Sequence, residues 1–241
     1  MRTDTGSVAR LTEAMARAQR HWRTRGREAP PAETFPPKPS GFTIALTREA
    51  GALGTTVAHA LGQRLGWPVY DHELVERIAQ EMGLRVELLE SVDERRRNWL
   101  EEAVEQFAMV PSVSESMYLR HVIQIVLSLG AHGECVIVGR GAAHILPFET
   151  MLRVRMVGAL NDRIANLSRR LNLSWDKAAR KVEELDRERR AYIREHFQKD
   201  AADPREYDLV LNCSRWSVEE CVDLIVEALE RLRAHALREA R

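Results

Sequence analysis

The sequence predicts an α/β fold built on a five-stranded parallel sheet, and three observations carry that expectation. From residue 41 onward, short β-rich apolar runs alternate with stretches of helical period, the pattern of βαβ units. A glycine-bearing turn within "TREAGALGTT" joins the first run to a helix. "CVIVG" at 135–139 is a continuous apolar run, as expected of a strand buried on both faces.

Each element follows in order. "FTIAL" reads as the first strand, Thr55 to Leu65 as a helix, "WPVY" as the second strand and His72 to Met82 as a helix again. Residues 84–130 read as helical with a break at Pro111, so a helical insertion separates the second strand from the third, "CVIVG". "LRVRMVG" at 152–158 is the fourth strand. Asn161 is placed to N-cap a helix running to about Leu171, and Ser174 to cap the long helix after it. "DLVLN" at 208–212 is the fifth strand. Ser217 and Glu220 then form a capping-box pattern before a last helix whose apolar positions Val218, Cys221, Val222, Ile225 and Leu229 recur at helical spacing.

Ahead of this domain, residues 1–40 read as an appendage. Residues 8–25 suit a short basic amphipathic helix, and "EAPPAETFPPKPSG" suits an extended proline-rich linker. A solvated tail, a helix docked on the domain, and a contact with a partner or second subunit all stay open for this segment. Residues 41–241 form the main domain, with 72–130 as its helical insertion and 160–200 as a lid region.

Composition narrows the function classes. Lys+Arg and Asp+Glu both number 36, so no global field draws the chain to a nucleic-acid polymer or an anionic membrane, and partners must be argued from sites. Cys135, Cys213 and Cys221 lack Cys-x-x-Cys spacing and lie in apolar surroundings, which points to buried thiols rather than disulfides or zinc ligands. No apolar run reaches the roughly 20 residues of a membrane span, and the first residues lack an apolar signal region. A cytoplasmic location is the expectation.

The turn after the first strand is the chemical centre of the sequence. A glycine turn leading into a helix aims free backbone N–H groups and the positive end of the helix dipole at one point, where an anion is stabilised. Gly51 and Gly54 permit tight geometry, Thr55 or Thr56 offers a hydroxyl to phosphate or to its Mg²⁺, and Arg48 adds positive charge. Laid on G-x-x-x-x-G-K-[ST], the sequence puts Arg48 at the first glycine, Leu53 at the second, Gly54 at the lysine and Thr55 at the hydroxyl position. The lysine is absent.

Five motifs in order, "TREAGALGTTVAHALGQRLGWPVYDHEL", "IVGRGAAHIL", "ALNDRIANLSRRLNLS", "ELDRERRAY" and "YDLVLNCSRWSVEECVDLI", resemble the cytidylate kinase-like branch of the nucleoside monophosphate kinases. The resemblance runs from about Phe42 to Leu229. It implies a P-loop kinase-like α/β/α fold with strand order 2-3-1-4-5, a helical insertion and a lid. It also implies ATP and Mg²⁺ as cofactors and small nucleotides as substrates. That branch commonly opens on Arg-Glu and a glycine turn without the lysine, so Arg48, Gly51, Ala52, Gly54, Thr55 and Thr56 are the implied donor-phosphate loop, with Thr55 also toward the metal.

Arg140 matches the arginine that holds the acceptor monophosphate, and Asp71 the aspartate at the start of the acceptor-side insertion. Asp71 is equally a good N-cap for the helix that follows. Arg163 matches the arginine that opens the lid. Asp186 and Arg189 match the Asp-x-x-Arg element facing the acceptor nucleotide. Arg48, Arg163 and Arg189 are thus the implied catalytic cations.

Three positions depart from the pattern: Leu53 within the loop, Gly141 where aspartate is usual, and Val182 where a further arginine is usual. Groups selecting the acceptor's base are expected within residues 72–130. Trp67, Trp175 and Trp216 read as core or lid packing, and His59 and His72 as structural. The leading expectation is ATP-dependent phosphorylation of CMP or dCMP. A catalytically weak nucleotide-binding regulator and a kinase for another small metabolite are the alternatives.

Overall fold

A computed structural model of the chain describes residues 5–28, 41–92, 94–107 and 116–239. Its centre is a five-stranded sheet, all parallel, in the order β2-β3-β1-β4-β5. The strands are β1 (Thr43–Arg48), β2 (Val69–Tyr70), β3 (Cys135–Val138), β4 (Met151–Val157) and β5 (Leu209–Asn212). The expected fold class and strand order are what the structure shows.

Alternation along the central strands explains the three layers. Ile44, Leu46, Val136, Val138, Val154 and Met156 turn to one face, where α2 (Gly54–Leu65) and α10 (Val218–Glu239) cover them. Ala45, Cys135 and Ile137 turn to the other, where the helices of the insertion pack. That insertion comprises α3 (His72–Gln80), α4 (Met82–Glu90), α5 (Glu94–Phe107) and α6 (Met117–His132). Sequence reading ran the first of these helices through to Met82. Instead Glu81 is extended, with ψ 104°, and separates α3 from α4. Pro111, the expected break, lies outside the described residues.

Helix α1 (Thr5–Glu28) is docked, one of the three fates left open for it. Met15, Ala18 and Trp22 recur at helical spacing and are buried in the insertion-side core, Trp22 and Ala18 completely. Trp22 Nε1 donates to Tyr70 Oη at 2.9 Å, Gln19 donates to Glu87 at 2.7 Å, and Arg25 pairs with Glu134 at 3.2 Å. The helix therefore joins β2, α4 and the start of β3. The proline-rich linker lies outside the described residues.

Beyond β3 come α7 (Ala142–Ile145), α8 (Leu160–Leu171) and α9 (Trp175–Phe197). Asn161 does not cap α8: the helix begins at Leu160, and the cap position is Ala159, whose N–H donates to Ser214 Oγ at 2.9 Å. Ser174 holds the cap position of α9 without a side-chain capping bond. The capping box does form, with Glu220 N–H donating to Ser217 Oγ and Ser217 N–H to Glu220 Oε2. Trp67 is core, whereas Trp175 and Trp216 stay about half exposed. Cys135 and Cys221 are buried and Cys213 is partly so; all three are free thiols. No helix of the described residues is long and apolar enough to cross a membrane.

Candidate functional site

A cavity of about 440 Å³ opens at the carboxyl ends of β1 and β3, where parallel α/β sheets bind ligands. Arg48 enters it from the end of β1, Gly139, Arg140 and Gly141 from the loop after β3, Arg155 from β4, and Asp186 and Arg189 from α9. Four of the expected site residues, Arg48, Arg140, Asp186 and Arg189, thus converge although 141 positions separate Arg48 from Arg189.

Arg48 is the most constrained of them. Gly139 has φ +79°, and a Cβ there would overlap Arg48 Nη1. On the other side, a Cβ on Gly54 would lie 2.6 Å from Arg48 Cβ. Both glycines make room for this side chain. Burial, then the charges of Arg189 and Arg140, lower its pKa to about 9, opposed by Asp71. It stays a cation at neutral pH, and its Nε has no hydrogen-bond partner among the described residues. Arg189, lowered in the same sense chiefly by burial, donates to the Arg48 carbonyl at 3.1 Å. A half-buried cation with further cations beside it is stabilised by an anionic ligand.

Arg140 sits in the left-handed region at φ +53°, and its Nη2 donates to Glu76 Oε1 at 2.5 Å. Two of the three departures from the family pattern, Gly141 and Val182, acquire physical reasons. Gly141 has φ +74°, and a Cβ there would overlap the Phe197 ring. Val182 is buried in a small apolar cluster with Ala50, Ile164, Leu167 and Ala178.

The loop itself takes a different position from Arg48. Gly51, Ala52, Gly54, Thr55 and Thr56 do not line the cavity. A Cβ on Gly51, where φ is +76°, would overlap the Arg163 carbonyl, so α8 lies directly on the loop. Arg163 Nη1 donates to the Ala50 carbonyl at 3.2 Å and to Asp186 Oδ2 at 2.5 Å, while its Nε donates to the Gly158 carbonyl at 3.0 Å. Asp186 Oδ1 in turn accepts from Ala50 N–H at 2.7 Å, and Asn166 donates to the Gly51 carbonyl at 3.0 Å. Arg163 is thereby held away from the cavity and joins α8 and α9 to the loop. Leu53 adopts φ 54° as the N-cap of α2 and gives no side-chain bond, so it leaves the helix's first-turn N–H groups without side-chain acceptors. Asp71 caps α3, its Oδ1 accepting from Leu74 N–H at 3.0 Å, and stands outside the cavity lining.

Several lining residues escaped sequence reading. Arg155 crosses the Tyr207 ring at 5.4 Å, donates to the Ala201 carbonyl and lies 3.7 Å from Glu49. Its signal was the alternation of arginine with apolar residues in "LRVRMV", which puts charges at every second position of an otherwise buried strand. His72, for which the sequence suggests a structural role, lines the cavity too, as does Tyr192. Burial pushes the Tyr192 hydroxyl up to about 12, and it has no hydrogen-bond partner among the described residues.

Residues 43–215 match the model of the cytidylate kinase-like family. The chain belongs to that family. It is 23% identical over 205 residues to a cytidylate kinase of Methanopyrus kandleri, covering 79% of this chain and 96% of that one. A cytidylate kinase of Methanocaldococcus jannaschii is 27% identical over 110 residues, 44% of this chain and 62% of the relative. An uncharacterized protein from Eubacterium ventriosum has a solved structure that superposes with a TM-score of 0.65 at 22% identity, covering 80% of this chain and 99% of that one. That likeness concerns the fold. Arg48, Arg140, Arg163, Asp186 and Arg189 all lie within the matched stretch, and of these Arg163 is the one outside the cavity lining.

Proposed function

We propose that this protein transfers the γ-phosphoryl group of ATP to a small monophosphate, CMP or dCMP, and releases the diphosphate. The observation that carries the reading is Arg48, a half-buried cation whose enclosed Nε has no partner among the described residues, flanked in one cavity by Arg140 and Arg189. Phosphoryl transfer asks little covalent work of a protein. It needs in-line positioning and neutralisation of charge spreading over the transferred group. Arg140 would hold the acceptor phosphate, Arg48 and Arg189 would face the transferred group, and the N–H groups opening α2 would take the donor phosphates.

Mg²⁺ keeps several waters and is commonly held by substrate phosphates with one or two protein groups. Among the described residues no cluster of three or more His, Cys, Asp or Glu side chains is arranged for a metal. The Thr55 hydroxyl, in the first turn of α2, suits the limited role of one ligand to a metal brought in by ATP.

A second reading, nucleotide binding with little turnover, draws on a specific contact. Asp186 occupies the Ala50 N–H and also engages Arg163, so one loop donor and one expected catalytic cation are both committed within the protein. An ADP-release assay across nucleoside monophosphates, with ATP and monophosphate binding measured alongside, separates the two. Turnover with CMP or dCMP above the other acceptors is the expected result. Binding of ATP without turnover of any acceptor would favour the regulator.

A further inference from the structure

Around Arg140, at one end of the cavity, four side chains from four separate segments meet: Arg140 and Tyr192 line the cavity, and Glu76 and Tyr118 border Arg140 just outside that lining. Glu76 on α3 accepts from Arg140 Nη2 at 2.5 Å and from the Tyr118 hydroxyl, on α6, at 3.3 Å. Both donors use the same oxygen, Oε1. Glu76 Oε2 has no bond among the described residues, and the side chain is 39% exposed. Tyr192, which lines the cavity from α9, feels Arg140, Tyr118 and Glu76 in addition to its burial, so all four groups share one neighbourhood. Gly141, beside Arg140, has no side chain, and Phe197 fills the space that one would need.

We infer that Glu76 selects the acceptor, with its free Oε2 accepting a hydrogen bond from an exocyclic amino group on the base whose phosphate Arg140 binds. The inference rests on the monophosphate-kinase reading and deepens it. A carboxylate is acceptor-only when ionised. Facing cytosine it meets the N–H donors of the 4-amino group; facing uracil it meets the lone pairs of a carbonyl. Neither acceptor is then satisfied. A site built around such a donor rejects the analogue lacking it, because its own polar group is left unpaired. Since Glu76 is partly exposed, water relieves some of that penalty, and discrimination of about ten- to a hundredfold is expected.

Glu76 also orients Arg140, so a positioning role must be told apart from base selection. Glu76→Gln keeps a carbonyl oxygen for Arg140, and its amide can also turn its NH₂ toward the base. Affinities for CMP, UMP and the analogue with hydrogen at C4 are to be measured by calorimetry for the full chain and for Glu76→Gln, with turnover followed in parallel.

The wild type should bind CMP at least about tenfold more tightly than the other two, and Glu76→Gln should bring CMP and UMP within about threefold. Glu76→Ala, at a helix position that tolerates alanine, should erase the preference as well should the glutamine variant not fold. Equal wild-type affinity for CMP and UMP overturns the inference. So does a variant that loses both ligands equally and keeps their ratio, which would make Glu76 a positioning residue only. CMP preference in binding without any turnover would sink the kinase reading and leave this one standing, whereas turnover with CMP and UMP alike would do the reverse.

Discussion

Gly139 and Arg48 compete for one space: a Cβ on the glycine would overlap the arginine's Nη1, and the glycine's φ of +79° is one that L side chains rarely adopt. The loop after β3 is therefore shaped around a side chain from the end of β1. Gly139→Ala should displace the guanidinium and strain the backbone, a combined cost of about 1–3 kcal/mol. Nucleotide affinity should fall with it, checked by thermal melts and titration with ATP and CMP.

Arg48→Met tests the cation directly. Burial and the neighbouring arginines already disfavour this charge, so a neutral side chain of similar length should hold or raise the melting temperature while nucleotide affinity falls at least about tenfold. Phosphate should raise the wild-type melting temperature by mass action and leave the variant's unchanged. A large fall in melting temperature would instead mark Arg48 as structural.

Restoring the common lysine should fail. A Cβ on Gly54 would lie 2.6 Å from Arg48 Cβ, and Leu46 also borders it. Gly54→Lys is expected to destabilise the fold by about 1–3 kcal/mol or more through overpacking, read from denaturant midpoints. In this chain the position serves packing.

Arg163→Met addresses the junction of α8, α9 and the loop. The arginine is 8% exposed and bonds Asp186, Ala50 and Gly158. Its removal leaves the mostly buried Asp186 carboxylate without that partner, a loss of about 3–5 kcal/mol. A contribution confined to phosphoryl transfer would appear instead as a fall in kcat at unchanged melting temperature.

Acid should loosen α1. Half-buried His21 and buried His132 are held neutral, their pKa values lowered to about 4 and about 3, first by desolvation. Both lie below the ordinary 6.5 of the unfolded chain, so the neutral forms contribute stability that is complete above pH 6.5 and is lost as pH falls through 6.5 toward 4 and 3. His21 bridges Tyr70 Oη and the Gly133 carbonyl, which places the effect at the α1 junction. Melting temperature against pH should drop below about 6.5, and His21→Asn should flatten that slope.

Much of the architecture was legible along the chain because it depends on local period. The alternation of Ile44 and Leu46 against Ala45, the continuous run Cys135–Val138, and the Ser217–Glu220 box each describe how a short segment presents its own faces. Arg48, Arg140, Asp186 and Arg189 were legible through motif order, since a parallel sheet brings strand ends to one edge. Periodicity reports which face is buried and not what covers it. Tertiary structure therefore decided that Trp22 meets Tyr70, that Asp186 takes the Ala50 N–H, and that Phe197 fills the place beside Gly141. These contacts span tens of residues or more, and their geometry exists only once the layers have packed.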